Sequence, residues 1–267
     1  MTIYVLIACS KSKLVSPSKE LCWGPDFNIG SWVIVWNNQP RLHPSHLLYT
    51  GRSFKQQLQL ARQFTNVSLH IISAGAGLLS LGDEIPSYEA TFRKEAGPKT
   101  NQWHNLPHGG LSRLEINPQD SVVSFAPPQY HRALMHDPFL DQISDALIVA
   151  STSPLASKAR TVLNIHPRSK EVLKVSSTDL NTKFLEIFLN DGVEGFNSLY
   201  GKAKSLPPMV DRKPVSDEEL YSIVKKIKNI TSNSALVRHL RDDLLIKASV
   251  ERINAARKKV IQESQDG

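Results

Sequence analysis

Five short apolar runs constrain the fold of this chain more than any other feature of its sequence. They lie far apart, at Ile3–Ala8, Leu69–Ser73, Val122–Ala126, Ala146–Ala150 and Val172–Val175. Short apolar runs between turn signals are typical of buried β-strands. Helical patterns separate most of the runs, and strands that alternate with helices favour a mostly parallel sheet with helices on both faces. The sequence therefore predicts an α/β fold with a mostly parallel, three-layer sheet.

The segments between the runs divide into helices and long loops. Ser53 is predicted to cap a helix whose apolar residues share one face: Phe54, Leu58, Ala61 and Phe64. Further helices are predicted over Gln129–Met135 and Leu155–Leu163. Segments 15–48 and 80–120 are rich in Pro, Gly, Asn and His, and we expect loops there of the kind that often carry function.

The end of the chain is predicted to be a separate helical module. Residues 205–216 contain three prolines and are predicted to link a core over residues 1–204 to a module over residues 217–267. Ser216 and Glu219 have the spacing of a capping box. Helices are expected at roughly 217–229, 234–242 and 248–263. Three short helices resemble a helix-turn-helix or a winged-helix fragment, and the alternative is a helical hairpin packed on the core or on a second subunit.

Positive charge is concentrated towards the end of the chain. Residues 202–259 contain 14 Lys and Arg against 7 Asp and Glu, and this excess equals the net charge of +7 of the whole chain. A basic segment on a neutral remainder indicates an anionic partner, most often nucleic acid. The predicted DNA contacts are Arg238, Arg241, Lys258 and Lys259. The alternative is a lysine-rich helix that serves solubility.

Composition also limits the compartment and the cofactors. No run of 18 apolar residues is present, and the first apolar run lacks the preceding basic residues of a signal peptide. With only Cys9 and Cys22, a disulfide framework is not expected, so we place the protein in the cytoplasm with reduced thiols. Pro107 separates His104 from His108, which argues against a metal site, and no cofactor is predicted.

Directly after the first apolar run, the sequence Ala-Cys-Ser-Lys-Ser-Lys is the first candidate for chemistry. Ligands in open α/β sheets bind beyond the carboxyl ends of the strands. Cys9 is the predicted nucleophile, because Lys11 and Lys13 favour its thiolate form, and Ser10 is a predicted substrate contact. The alternatives are a phosphate site formed by the lysines and hydroxyls, or a buried structural cysteine.

A second candidate precedes the first long helix. Gly51 permits a close approach, Arg52 offers a guanidinium to phosphate or carboxylate, and Ser53 opens a helix whose N-terminus favours anions. Together with Tyr49, Arg52 and Ser53 are assigned to substrate binding. The alternative is an ordinary helix cap.

A third candidate follows the second apolar run. Ser73, Gly75 and Gly77 are assigned to substrate binding, because glycines occur where a backbone must turn or approach a ligand. The motif matches neither a dinucleotide fingerprint nor a phosphate loop. In the loop that follows, Glu84 is the predicted acid or base and Tyr88 a pocket wall, with a polar surface loop as the alternative.

Tyr130 and His131, after the third run, are assigned either to the pocket or to the core.

The order of these motifs resembles a bacterial and phage family of unknown function, which is similar to the peroxide-stress DNA-binding family and to the core of archaeosine synthase. The likeness covers about 130 N-terminal residues and the tail Ser232–Asp242. It rests on Cys9, Ser10, Lys11, Lys13, Leu48, Tyr49, Phe54, Ser73, Ala74, Gly77, Leu78, Leu79, Pro86 and Tyr88. Archaeosine synthase has Lys-Pro-Tyr after its cysteine, where this chain has Ser12-Lys13-Leu14.

The resemblance implies a uracil-DNA-glycosylase-like fold that handles a nucleobase, and association with other DNA-modification proteins. The reaction it implies converts a 7-cyano-7-deazaguanine base in DNA to its amide. Cys9 would add to the nitrile carbon, a lysine would stabilise the nitrogen, and Glu84 would activate water. Two alternatives stay open: an N-glycosidase or deoxyribosyltransferase with a carboxylate nucleophile, and a non-catalytic DNA-binding protein. The oligomeric state is open as well.

Overall fold

The computed structural model describes residues 1–39, 42–92, 97–208, 211–227 and 232–265. The chain divides into two compact units, which we call unit 1 (Met1–Ser205) and unit 2 (Leu206–Gly267). Each unit has its own cluster of buried apolar side chains.

Unit 1 is built on a six-stranded sheet in the order β4-β3-β1-β6-β7-β8. Every neighbouring pair is parallel except β3 and β4, which form an antiparallel pair. A separate antiparallel pair joins β2 to β5. The strands of unit 1 are β1 (Ile3–Ala8), β2 (His43–Pro44), β3 (Val67–Ser73), β4 (Gly77–Ser80), β5 (Glu84–Ile85), β6 (Ser121–Ser124), β7 (Leu147–Ala150) and β8 (Thr161–Leu163).

Helices connect these strands. The helices of unit 1 are α1 (Ile29–Asn37), α2 (Ser45–Leu48), α3 (Arg52–Ala61), α4 (Pro128–Met135), α5 (Leu140–Ile143), α6 (Ser169–Leu173) and α7 (Leu180–Lys204). Short 3-10 turns lie at Lys19–Leu21, Thr100–Asn105, Leu111–Arg113, Ser144–Ala146 and Pro154–Ser157. None of the helices in the described part of the chain is long and apolar enough to cross a membrane.

Burial on consecutive residues shows that the sheet is covered on both faces. Successive side chains of a strand point to opposite faces, and the neighbours Ile71 and Ile72 of β3 are both fully buried. Val122 and Val123 of β6 are equally buried. The predicted α/β class with a mostly parallel sheet is therefore confirmed, and four of the five apolar runs contain strands of this sheet.

The fifth run was predicted wrongly. Residues 172 and 173 belong to helix α6, and the next residue, Lys174, terminates this helix with a left-handed φ of 52°. The last strand of the sheet is β8, within the segment Leu155–Leu163 that the sequence predicted as a helix. Three residues are too few to display a period, so pairing with β7 rather than a local pattern defines this strand.

Other local expectations also needed correction. Segments 15–48 and 80–120, predicted as loops, contain α1 and short strands. Helix α3 begins at Arg52, so Ser53 lies inside its first turn and does not cap it. The buried face of α3 does carry Phe54, Leu58 and Ala61, as predicted.

Unit 2 consists of short helices around a small core. Its helices are α8 (Asp217–Lys226), α9 (Asn233–Arg238), which continues into a π-helical turn over His239–Asp243, and α10 (Val250–Gln265). The capping box predicted at the start of α8 is present: Ser216 Oγ accepts from Glu219 N at 3.1 Å, and Glu219 Oε2 accepts from Ser216 N at 2.9 Å. The segment predicted as a linker contains β9 (Lys213–Pro214), which pairs in parallel with β10 (Ile246–Lys247).

Candidate active site

A cleft opens at the carboxyl ends of β1 and β6, where the chain reverses its direction across the sheet. From β1 the chain proceeds to β3 on one side, and from β6 it proceeds to β7 on the other. Such a switch point is where open α/β sheets bind ligands. The cleft has a volume of about 630 Å³. Its walls are formed by Ala8, Cys9, Ser10, Lys11, Gly51, Arg52, Ser53, Phe54, Gln57, Thr91, Phe125, Ala126, Pro127, Tyr130, Ser177, Thr178 and Asn181.

The turn after β1 forms one side of the cleft and carries Cys9. Cys9 N donates to Ile72 O at 3.0 Å, which extends the pairing with β3 by one residue. A side chain at Gly51 would place its Cβ 2.1 Å from Ser10 Oγ. Glycine at this position therefore allows the start of α3 to lie directly against the turn, and both segments face the same cleft.

The opposite side follows β6 and carries Tyr130. Its hydroxyl lies 3.5 Å from Cys9 Sγ, although the two residues are 121 positions apart. The ring also contacts Phe92 edge to face, with centroids 5.4 Å apart. A thiol and a phenol, each able to exchange a proton, thus meet across the switch point.

Polar side chains from α3 and α7 form the rim. Gln57 Nε2 donates to Ser53 Oγ at 3.0 Å and to Thr182 Oγ1 at 3.1 Å, so these groups hold the two helices together. Arg52 Nη2 lies 3.5 Å from Asp179 Oδ2, and its side chain is 75% exposed. An exposed ion pair of this kind contributes less than about 1 kcal/mol. Arg52 can therefore turn to an anionic ligand at small cost.

Tyr49, Ser73 and Tyr88, predicted to bind substrate, lie beneath the cleft and not in its walls. All three are buried. The two tyrosine hydroxyls are 2.6 Å apart, and Tyr88 also bonds to Ser73 Oγ, which accepts from Ala76 N at 2.9 Å. Burial raises the pKa of both tyrosines, and the neighbouring Cys9 adds to the effect. We conclude that these hydroxyls are protonated groups that support the floor.

Lys13 also lies behind the cleft rather than in it. Its Nζ is 4.4 Å from the centroid of the Tyr88 ring, and its backbone forms an antiparallel bridge with Tyr49. Burial lowers the pKa of Lys13, while the neighbouring Cys9 and Glu89 act in the opposite direction. Of the two predicted catalytic lysines, only Lys11 therefore lines the cleft.

The glycines of the third motif have structural roles. A Cβ at Gly75 would lie 2.5 Å from the Tyr88 ring, and the Gly75 carbonyl accepts from Trp32 Nε1 at 2.7 Å. Gly77, with φ of 98°, begins β4 and packs on the Gly109 backbone. The turn after β1 and the glycine turn after β3 follow neighbouring strands, but the glycine turn leads into the β3–β4 hairpin and does not line the cleft.

Glu84, the predicted acid or base, does not line the cleft. It is exposed on β5, opposite Pro44 of β2. Of the segment 80–120 that contains Glu84, Thr91 lines the cleft instead. In the part of the chain that the structure describes, the walls carry no Asp or Glu.

The segment at the start of α7 contributes to the cleft, which the sequence did not predict. Ser177, Thr178 and Asn181 line the cleft from a segment for which no role was predicted. A cluster of serine, threonine and asparagine before an apolar helix is a capping signal, and this was the available clue. Phe125, inside the third apolar run, was missed because a core strand and a pocket wall have the same apolar signature.

The basic residues predicted in unit 2 divide into two groups. Arg238 and Lys258 are exposed. Lys259 is exposed too, and its Nζ lies 4.8 Å from the centroid of the Tyr221 ring. Arg241, the fourth predicted DNA contact, is half-buried and donates from Nη2 to Ala248 O at 2.8 Å. It therefore braces the segment before α10.

Within the described residues, no three His, Cys, Asp or Glu side chains are grouped as a metal site would need.

Comparison with known families shows that residues 35–150 are similar to a family of unknown function, DUF6884. The match covers the rim at Arg52 and the wall at Tyr130 but begins after Cys9. No curated protein and no solved structure matches the chain.

Proposed function

We propose that this chain is a nucleobase-modifying enzyme that acts on DNA and uses Cys9 as its nucleophile. The observation that carries the proposal is the Cys9 thiol in a switch-point cleft, 3.5 Å from the hydroxyl of Tyr130. The resemblance of the N-terminal motifs supplies the substrate, a 7-cyano-7-deazaguanine base, and the finer fold assignment, a uracil-DNA-glycosylase-like core.

The walls of the cleft suit one nucleotide. Tyr130 is half-buried and offers an aromatic ring of the kind on which bases stack, and the nearly buried Phe54 and Phe125 add aromatic edges to the walls. Lys11 and Arg52 give the same cleft a positive rim that favours a phosphate group. Aromatic walls beside a cationic rim match the two ends of a nucleotide.

The chemistry follows from the nucleophile. The Cys9 sulfur adds to the nitrile carbon, which gives a thioimidate, and Lys11 is the lysine available to stabilise charge on the nitrogen. Water then adds to the same carbon, the carbon–sulfur bond breaks, and an amide leaves the site. In total, one nitrile and one water molecule give one amide.

The glycosidase alternative has less support. Glycoside cleavage through a carboxylate nucleophile needs an Asp or Glu beside the sugar. The walls of the cleft, so far as they are described, offer a thiol and a phenol instead, and the carboxylate on the rim, Asp179, is paired with Arg52. This difference favours addition to an electrophilic carbon of the base.

The proposal is tested by replacing each cysteine in turn. We expect Cys9→Ser to lower conversion of a cyano-deazaguanine DNA oligonucleotide by roughly a hundredfold or more, because a hydroxyl is a far weaker nucleophile. Cys22→Ser is the matched control, since Cys22 is also half-buried and free but does not line the cleft. Nucleoside mass spectrometry measures the amide. Equal conversion by both variants, or no conversion by the parent protein, would contradict the proposal.

A further inference from the structure

Addition of a thiolate to a nitrile requires a proton at the nitrile nitrogen, and the cleft offers few sources of one. Glu84, the carboxylate predicted for proton transfer, lies outside it. The described walls also carry Ser, Thr, Asn and Gln side chains and Arg52, but hydroxyls and amides of these types hold their protons too tightly for general acid catalysis and arginine keeps its charge. Besides the thiol itself, Lys11 and Tyr130 are the wall residues of a type that acts as a general acid. Lys11 is exposed, whereas Tyr130 reaches the sulfur.

The position of Tyr130 is set by the structure on both sides of it. Its backbone N donates to Pro127 O at 2.9 Å in the turn that opens α4. The next residue, His131, is buried and lies within hydrogen-bond distance of Ser124 and Ser153. The first turn of α4 is thus anchored to the end of β6, and the phenol is held over the cleft.

We propose that Tyr130 is the proton donor and acceptor of the Cys9 reaction, an assignment that rests on the proposed function. As the sulfur–carbon bond forms, one carbon–nitrogen π bond breaks and its electron pair moves to nitrogen. The Tyr130 hydroxyl gives its proton to that nitrogen and becomes a phenolate.

The same group completes the cycle. The phenolate takes a proton from water as the water oxygen bonds to the thioimidate carbon, the remaining carbon–nitrogen π bond breaks with its electron pair moving to nitrogen, and Tyr130 is restored. A proton passes from that oxygen to nitrogen, the carbon–sulfur bond breaks, and the electron pair returns to sulfur. Thiolate and phenol are regenerated, and nitrile plus water has become amide.

Two electrophiles separate proton donation from simple contact with the sulfur. Capture of 2-cyanopyrimidine by a thiolate gives a thioimidate and needs a proton at nitrogen, whereas alkylation by iodoacetamide displaces iodide and needs none. Both rates are measured on Cys9 by mass spectrometry of the full chain in a Cys22→Ser background. We expect Tyr130→Phe to slow nitrile capture by roughly a hundredfold and to change alkylation less than about twofold.

Tyr200→Phe is the matched control, because Tyr200 is 37% exposed on α7 and contacts His166 rather than the cleft. It should leave both rates unchanged. Equal changes of the two rates in Tyr130→Phe would overturn the proposal, since the phenol would then act only through the sulfur. Unchanged rates would overturn it as well.

If Tyr130→Phe does not fold, 3,5-difluorotyrosine at position 130 retains the ring and makes the phenol more acidic. The pH above which nitrile capture declines should then move to a lower value, and an unmoved decline would overturn the proposal. Conversion of the DNA substrate is scored separately. A parent protein that captures the small nitrile through Tyr130 but never converts DNA would reject the proposed function and leave the role of Tyr130 standing.

Discussion

The His131 imidazole lies between two serine hydroxyls, one beside each ring nitrogen. Ser124 Oγ is 2.9 Å from Nε2 and already donates to Leu6 O, so it accepts from Nε2–H. Ser153 Oγ, 2.7 Å from Nδ1, accepts from Leu155 N and is free to donate to the ring. This network assigns a neutral imidazole. Burial lowers the pKa of His131 to about 4, in agreement with that assignment.

A depressed pKa makes the stability of unit 1 depend on pH. In the unfolded chain the imidazole has its ordinary pKa of about 6.5. Below that pH the unfolded chain therefore binds a proton that the folded chain does not bind until the pH is much lower. The stabilisation from His131 is complete above that value and is lost as pH falls towards 4. Between pH 7 and pH 5 its share of the free energy of unfolding should fall by about 2 kcal/mol.

Urea unfolding at the two pH values measures this share. His131→Gln should lose about 2 kcal/mol less than the parent chain between pH 7 and pH 5. His136→Gln is the control, because His136 is exposed at the end of the same helix. A pH dependence that is the same in His131→Gln and in the parent would show that His131 is not the titrating group.

At the residue scale, sequence could predict a position relative to a strand but not a contact between strands. Cys9 directly follows an apolar run, and this local signal placed it correctly at the carboxyl end of β1. Its neighbour Tyr130 was left undecided between pocket and core, because their contact depends on β1 pairing with β6. The position of Glu84 on a strand outside the walls could not be predicted, because the pairing of β2 with β5 leaves no local pattern in the sequence.

At the scale of elements, the buried central strands were predictable and the edge of the sheet was not. Strands β1, β3, β6 and β7 coincide with runs that are apolar apart from a few Ser and His residues, a pattern typical of parallel strands with two covered faces. Strand β8 lies at the edge, and the middle of its three residues, Val162, is 38% exposed. The apolar run at β8 is therefore short and partly polar. The fifth strand was predicted instead at the next apolar run, which overlaps α6.

Helix α7 contains an interruption at Gly192, and the sequence alone does not distinguish this residue from the other two glycines of the helix. Gly192 has φ of 59° and ψ of −144°, a conformation that side-chain-bearing residues avoid. The first half of α7 contributes Asn181 to the cleft, and the second half buries Phe196 and Leu199. Because the bend lies between them, Gly192 sets the direction of the half that lines the cleft.

Two alanine substitutions on this helix test the bend. Gly192→Ala should lower the free energy of unfolding by about 1–3 kcal/mol, because alanine is strained at this backbone conformation. Gly201→Ala should be neutral or stabilise by up to about 1 kcal/mol, since Gly201 lies within the second half and a methyl group there would meet no other atom within 4 Å. Thermal or urea unfolding measures both. Equal stabilisation by the two changes would indicate an unbroken helix through residue 192.

At the scale of the whole molecule, the positive charge does not coincide with one unit. Unit 2 contains 12 Lys and Arg against 9 Asp and Glu, a net charge of +3. Lys202 and Lys204, which the basic stretch includes, belong to the end of α7. Within unit 2, ion pairs join Arg212 to Asp242 and Lys225 to Glu263. Its capacity for DNA therefore depends on a few exposed cations rather than on bulk charge.

Arg238 and Lys258 are the cations best suited to phosphate, because both are exposed and neither forms an ion pair with the described residues. Each phosphate contact releases bound counterions, so the logarithm of affinity falls with the logarithm of salt concentration by about 0.9 per contact. We expect the double change Arg238→Ala and Lys258→Ala to weaken DNA binding and to reduce this slope by about two.

The comparison is made by titrating labelled duplex DNA with the full chain over a range of salt concentrations. The double change Lys19→Ala and Lys99→Ala removes the same charge from exposed positions of unit 1 and should lower affinity slightly while leaving the slope unchanged. Equal slopes for the two double variants would show that loss of net charge alone explains the weakening. Arg241→Ala should differ from both double variants, because the bond of Arg241 to Ala248 stabilises unit 2. We expect this change to lower the unfolding temperature and to leave the salt slope of DNA binding unchanged.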